Sequence, residues 1–211
     1  MLMVMLPCSY IVLVPSDFKE YSLSNLFSIG FTSNYFFYFN EIVYGSKDGL
    51  LKPLLHTWSL GVEEQFYIFF PILMILILNK NWSLKKFFFS FILFSFLLAS
   101  YLSFTNIQLS FFSLPTRIWE LLCGSLVAYL IFFNKINFVK KKLINFLSYL
   151  GVISIFLSFV LFERNTYHPS YLTIFPVIGT CLILINFNAQ NIVHKILSSK
   201  TFVFVGLISY S

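Results

Sequence analysis

Residues 57–78, TWSLGVEEQFYIFFPILMILIL, decide the fold. Apart from two glutamates and a glutamine near its start, this stretch is almost continuously apolar. The hydrocarbon core of a bilayer is about 30 Å thick and an α-helix rises about 1.5 Å per residue, so about 20 apolar residues cross it. The stretch is therefore predicted to be a transmembrane helix.

Four more apolar runs of similar length follow along the chain, at residues 85–104, 114–133, 143–162 and 171–187. The composition supports the same interpretation, because 58% of the residues are hydrophobic and only 10% are charged. A soluble globular domain carries about 25% charged residues. We therefore predict an all-α fold, a polytopic transmembrane helical bundle, with residues 1–211 forming a single domain.

Three apolar segments fit this scheme less simply. Residues 2–14 and 201–211 resemble partial spans, so the chain is expected to be a fragment that is truncated at both ends. Residues 21–40 are long enough to cross a bilayer but are rich in Ser, Thr and Asn. Such polar groups are costly against lipid and acceptable against protein or a water-filled cavity. This segment is predicted to be a re-entrant or interfacial helix.

The lysines alternate between successive loops and so predict the orientation in the membrane. They cluster in three loops, at residues 80–86, 135–142 and 195–200, whereas the loops 105–113 and 163–170 carry no excess of Lys or Arg. By the positive-inside rule the lysine-bearing loops are cytoplasmic, and residues 41–56 lie outside. The net charge of +6 is spread over these loops rather than gathered in one patch, which argues against nucleic-acid binding.

A stripe of polar side chains follows one face of the first predicted span, within PLLHTWSLGVEEQFYIFFP at 53–71. At 100° per residue, four side chains fall within a sector of about 80°: His56, Ser59, Glu63 and Tyr67. Glu64 lies at the flank of this polar stripe and Gln65 on the opposite side. The stripe is expected to point into the bundle, where intramembrane ionisable groups are usually functional, and Gln65 is expected to matter less. The alternative is an interfacial cluster that lipid headgroups solvate.

A second polar group lies in LPTRIWELLCG at 114–124. Arg117 and Glu120 are three residues apart on one helix face and are expected to pair. Either they form a structural ion pair that eases insertion, or they contact a substrate. The spacing of His, Cys and carboxylate residues predicts no metal site. The three well-separated cysteines are interpreted as small apolar side chains.

These stretches resemble acyltransferase family 3, the bacterial O-antigen acetylase type of membrane protein. The segment 53–71 is similar to the most recognisable motif of that family. Three later segments are similar to family motifs in the same order: TRIWELLCGSLVAYL at 116–130, FPVIGTCLILI at 175–185 and FVFVGLISYS at 202–211.

The resemblance implies an enzyme of the bacterial inner membrane that transfers an acyl group to a hydroxyl of an extracytoplasmic glycan such as O-antigen or peptidoglycan. The expected partners are acetyl-CoA as acyl donor, the glycan acceptor and membrane lipid, with no bound cofactor. The family also carries a catalytic histidine in an N-terminal span that this sequence does not include. The fragment alone is therefore expected to be inactive.

Acyl transfer needs a base for the hydroxyl proton and donors for the developing oxyanion. The expected acid–base or orienting residues are His56, Glu63 and Glu64. The expected substrate-binding residues are Trp58, Ser59, Tyr67, Arg117 and Glu120. Two readings from other classes remain: a transporter or permease, with the stripe as a proton or substrate path, and a non-catalytic membrane remnant.

Overall fold

A computed structural model describes residues 2–42, 49, 52–133, 141–162, 168–185 and 191–209. All regular secondary structure in this part of the chain is helical, which confirms the predicted fold class. The α-helices, in chain order, are α1 (Leu2–Val12), α2 (Pro15–Ile29), α3 (Ser33–Phe39), α4 (Thr57–Asn79), α5 (Leu84–Thr105), α6 (Ile107–Phe112), α7 (Leu114–Phe132), α8 (Lys141–Leu161), α9 (Ile174–Ile185), α10 (Ile192–Leu197) and α11 (Lys200–Ser209).

Among the described residues, four helical stretches are long and apolar enough to cross a membrane: Thr57–Asn79, Leu84–Thr105, Ile107–Phe132 and Leu143–Leu161. They match the first four predicted spans. One begins earlier than predicted, because the short α6 leads directly into α7. In lipid, the backbone N–H and C=O groups of such an apolar run need hydrogen-bond partners, and a helix supplies them within the run.

Within the fifth predicted span, 171–187, residues 171–185 are described and are helical, so a full span there stays a prediction. A 3-10 turn at Tyr171–Thr173 precedes α9, which is described over 12 residues. The Ser170 side chain accepts from the Leu172 N–H, and the Ser170 N–H donates to the Thr173 hydroxyl, so capping delays the start of the helix. Residues 186 and 187 lie outside the described part of the chain.

The chain divides into two compact units, Met1–Ile118 and Trp119–Ser211. In the first unit, the polar segment at 21–40 forms α2 and α3 with a break at residues 30–32, where Phe31 has φ 55°. Its most deeply buried polar side chains are Asn25, Ser33 and Asn34. The segment is thus helical, as predicted, and its polar groups pack against protein. Its re-entrant or interfacial placement stays a prediction.

In the second unit, α8 and α9 approach closely at a pair of glycines. A Cβ on Gly151 would lie 2.5 Å from the Gly179 carbonyl oxygen, and one on Gly179 would lie 2.8 Å from the Gly151 carbonyl oxygen. Near this contact the Ser154 hydroxyl donates to the Phe175 carbonyl at 2.8 Å. Small residues let the backbones of membrane helices come into contact in this way.

Candidate active site

The first turn of α4 is fixed to the break between α2 and α3. The Thr57 and Ser28 hydroxyls are 2.8 Å apart, and the Ser33 hydroxyl donates to the Thr57 carbonyl at 2.9 Å. The Thr57 hydroxyl also contacts the Leu54 carbonyl at 2.7 Å. All three hydroxyl-bearing residues are buried. The helix that carries the candidate site therefore starts from a defined position.

Two turns further along α4, Gln65 extends the same attachment. Its side-chain amide donates to the Phe31 carbonyl at 2.6 Å and to Asn34 Oδ1 at 2.9 Å. Asn34 Nδ2 in turn donates to the Phe112 carbonyl at 2.9 Å. Gly61 makes room for this contact, because a Cβ there would lie 3.3 Å from the Phe31 carbonyl oxygen. The face of α4 that carries Gln65 therefore packs against the protein.

The prediction that the polar stripe points into the bundle is wrong. The buried face of α4 consists of Thr57, Trp58, Gly61, Val62, Gln65 and Phe66, on the side of the helix opposite the stripe. His56 is exposed, Tyr67 is 54% exposed, and Ser59 and Glu63 are half-buried. Gln65, expected to matter less, is buried and donates two side-chain hydrogen bonds. The reason is that an amide can be satisfied inside the protein by carbonyl and amide partners without burying a charge.

Trp58 and Arg117, both predicted to bind substrate, lie together. The guanidinium carbon of Arg117 is 4.7 Å from the centroid of the Trp58 ring and 5.1 Å from that of Phe111. The two rings are 4.5 Å apart at their centroids, and Arg117 Nε donates to the Phe111 carbonyl at 3.0 Å. A cation over two aromatic rings is stabilised by their quadrupoles. We call Trp58, Phe111 and Arg117 the arginine platform.

The turn between α6 and α7 holds this platform in place. The buried Thr116 hydroxyl contacts the Ser110 carbonyl at 2.6 Å and the Ser113 carbonyl at 2.9 Å. The Ser95 hydroxyl of α5 donates to the Pro115 carbonyl at 2.6 Å, and the Asn106 side chain caps α6. Phe111 was not predicted as a site residue. The sequence feature that could have identified it is the aromatic pair at residues 111 and 112, just before LPTR at 114–117.

The sequence matches the acyltransferase domain family over residues 18–211. The chain belongs to this family. Among the relatives of acyltransferase family 3, a Haemophilus influenzae protein whose name assigns no function is 31% identical over 192 residues, which is 86% of this chain and 77% of that protein. The peptidoglycan O-acetyltransferase OatA of Listeria monocytogenes is 27% identical, with 98% of this chain and 36% of OatA aligned.

A provisionally named O-acetyltransferase of Staphylococcus aureus strain COL is also 27% identical, over 87% of this chain and 32% of that protein. This chain thus spans about a third of the length of these two named relatives. No solved structure matches it. Membership of this acyltransferase family, together with four helices of spanning length among the described residues, makes this an integral membrane protein.

The remaining expectations concern residues outside the platform. Glu64 is half-buried at the flank of the stripe, as the helix geometry predicted. Glu120 is half-buried one turn beyond Arg117 on α7, and its pairing with Arg117 stays a prediction. Among the described residues, no group of three or more His, Cys, Asp or Glu side chains could hold a metal ion. Cys8, Cys123 and Cys181 are free thiols.

Proposed function

We propose that this domain transfers an acetyl group from acetyl-CoA to a hydroxyl of a cell-envelope glycan, at the outer face of the bacterial inner membrane. The arginine platform carries the proposal, because it combines a fixed cation with aromatic surface beside a helix that bears ionisable groups. Family membership supplies the reaction class. The similarity to OatA, which is named for peptidoglycan, favours a glycan acceptor.

In the proposed reaction the acceptor hydroxyl oxygen attacks the thioester carbonyl of acetyl-CoA. The hydroxyl proton passes to a base, for which His56, Glu63 and Glu64 are the candidates. The carbon–sulfur bond then breaks, and the CoA thiolate takes up a proton as it leaves. Arg117 is proposed to hold the acceptor sugar, because its guanidinium is planar, always charged and held against Trp58, on the side of α4 opposite Glu63.

The proposed acceptor contacts lie on both faces of α4 and on α7. Trp58 offers an aromatic face, although it is only 7% exposed, so its contact with a sugar is at the ring edge. Ser59 and Tyr67 offer hydroxyls on the exposed face of α4, and Glu120 offers a carboxylate on α7. The lysine alternation predicts that the start of α4 lies outside the cytoplasm, where an envelope glycan is found.

The test is acetylation of envelope glycan in a strain that lacks the gene and is complemented with the full gene product. Ester-linked acetate is measured by mass spectrometry after mild base release. The wild-type gene should restore acetate, and Glu63→Gln should abolish the transfer while membrane level and Tm stay normal, because the amide keeps the size but cannot accept a proton. Tyr101→Phe, at an exposed tyrosine of α5 that has no proposed role, is the control and should retain the activity.

Each outcome has a separate meaning. If deletion of the gene leaves glycan acetate unchanged, the proposed function is wrong. If Glu63→Gln restores acetate at the wild-type rate, the catalytic role of Glu63 is wrong, and the family assignment is unaffected.

A further inference from the structure

The first unit contains a polar recess of about 250 Å³ that shares no residue with the arginine platform. Its walls come from α2, α3 and the segment just before α4. The residues that matter are Asp17, Glu20, Tyr21, Ser24, Phe37 and Lys52. All of them belong to the same compact unit.

An ion pair joins two walls of this polar recess. Lys52 Nζ lies 2.5 Å from Glu20 Oε2, and the two side chains are 29% and 34% exposed. An ammonium group has three donor hydrogens and a carboxylate about four acceptor positions, so this single contact leaves both groups able to bind a ligand. Asp17, one turn earlier on α2, adds a second carboxylate to the lining.

Tyr21 provides an independent observation. It lines the recess and is 4% exposed, yet within the described residues its hydroxyl has no hydrogen-bond partner. The neighbouring Ser24 hydroxyl, by contrast, donates to the Tyr21 carbonyl at 2.8 Å. Buried polar groups in native proteins are nearly always paired, and an orphan group calls for an explanation such as a bound ligand.

The lining selects the chemistry of the ligand. The lining has two acidic side chains and one basic side chain, so its charge disfavours the binding of phosphate and other anions. The Lys52 ammonium already pairs with Glu20, which disfavours the binding of a metal ion. The carboxylates accept hydrogen bonds, and the ammonium and the phenol donate them. This combination matches the hydroxyl groups of a sugar, which both donate and accept hydrogen bonds. Phe37 adds an apolar surface against which the C–H groups of a sugar ring can pack. Drug-sized ligands occupy about 300–1,000 Å³, so this volume takes a single ring.

We propose that this recess binds one neutral sugar residue of the glycan acceptor. The inference rests on the proposed function for the identity of the glycan, and it adds a positioning subsite to that function. Lys52 precedes α4 in the segment predicted to lie outside the cytoplasm, so an external glycan reaches this subsite. Binding at Tyr21 and Glu20 holds the polymer while another of its residues reacts.

The test is saturation-transfer-difference NMR on the full chain in nanodiscs, without acyl donor, with glucose, galactose and N-acetylglucosamine as separate probes. At least one of these sugars should bind. Tyr21→Phe removes only the hydroxyl and should weaken binding about three- to tenfold, as expected for one hydrogen bond. Lys52→Met should weaken it as well. Tyr10→Phe is the matched control on an exposed tyrosine outside the recess and should change nothing.

Several results would overturn the inference. One is that none of the three sugars binds, and another is that phosphoethanolamine binds in their place. A third is that Tyr21→Phe raises the Tm and leaves sugar binding unchanged, because the hydroxyl would then be a packing defect. Sugar binding without any glycan acetylation in cells would support the subsite and contradict the proposed function, so the two failures are distinguishable.

Discussion

Replacement of Gln65 by Leu is the sharpest test of the packing of α4. The change keeps a similar volume and suits a membrane helix, so hydropathy alone predicts a neutral or favourable effect. The structure predicts the opposite. Leu cannot donate to the Phe31 carbonyl or to Asn34 Oδ1, which Gln65 contacts at 2.6 Å and 2.9 Å. The buried Asn34 amide oxygen then lacks this donor, and the part-buried Phe31 carbonyl loses it as well.

The magnitude follows from those two contacts. Hydrogen bonds between membrane helices average about 0.6 kcal/mol and reach about 1.7 kcal/mol. Leaving a buried acceptor unsatisfied costs about 1–3 kcal/mol. A total loss of about 2 kcal/mol is therefore expected. For a chain of 150–250 residues each kcal/mol lowers the Tm by about 2–4 °C, so the Tm should fall by about 4–8 °C.

The assay is the thermal stability of the detergent-solubilised protein, followed by fluorescence-detected size exclusion after heating. Glu63→Leu is the matched control, because it makes the same replacement on the opposite face of the helix. It should leave the Tm unchanged or raise it, since a half-buried charge is lost. A Gln65→Leu protein whose Tm lies within about 1 °C of the wild type would refute the assignment of the buried face.

Three other predictions concern the platform, the glycine contact and the topology. Arg117→Lys keeps the charge but loses the planar stack, and should lower kcat/KM for acetyl transfer at least about tenfold; near-normal transfer would exclude the platform from the reaction. Gly179→Ala should lower the Tm through the 2.8 Å clash, whereas Gly124→Ala, with nothing within 4 Å of its Cβ, should not; equal Tm values would contradict the close helix contact. In a protein without native cysteines, an impermeant thiol reagent should label Cys introduced for His168 and not for Lys195 in intact cells, and the reverse would overturn the orientation.

The sequence predicted the long helices well because a single physical requirement decides them. An apolar run that fills the bilayer has to be helical, and the first four predicted spans required no knowledge of tertiary contacts. In the segment at 171–187 the α-helix begins at Ile174, three residues later than predicted, because hydropathy does not detect where a helix starts. The capping interaction between Ser170 and Thr173 sets that point, and it depends on hydroxyl geometry.

In the candidate site, too, the sequence predicted what depends on one helix alone and missed what depends on contacts between helices. Helix geometry gave the correct angle between Gln65 and Glu63, which lie on opposite sides of α4. It could not say which side faces inward, because both sides carry polar groups and the choice depends on partners in α2 and α3. The proximity of Trp58 and Arg117 was anticipated only as a shared role in substrate binding. Their stacking depends on Phe111, from a helix far along the chain.

The amide of Asn34 has a practical consequence for chimeric proteins made from relatives of this domain. It accepts from Gln65 and donates to the Phe112 carbonyl, so three segments distant in sequence meet at one side chain. A crossover between residues 34 and 65 separates the amide from its donor when the second parent has a different residue there. Crossovers after residue 112 inherit all three segments from one parent. A set of such hybrids should therefore express as stable proteins mainly when the junction lies beyond 112, and expression levels across the junction series would measure this directly.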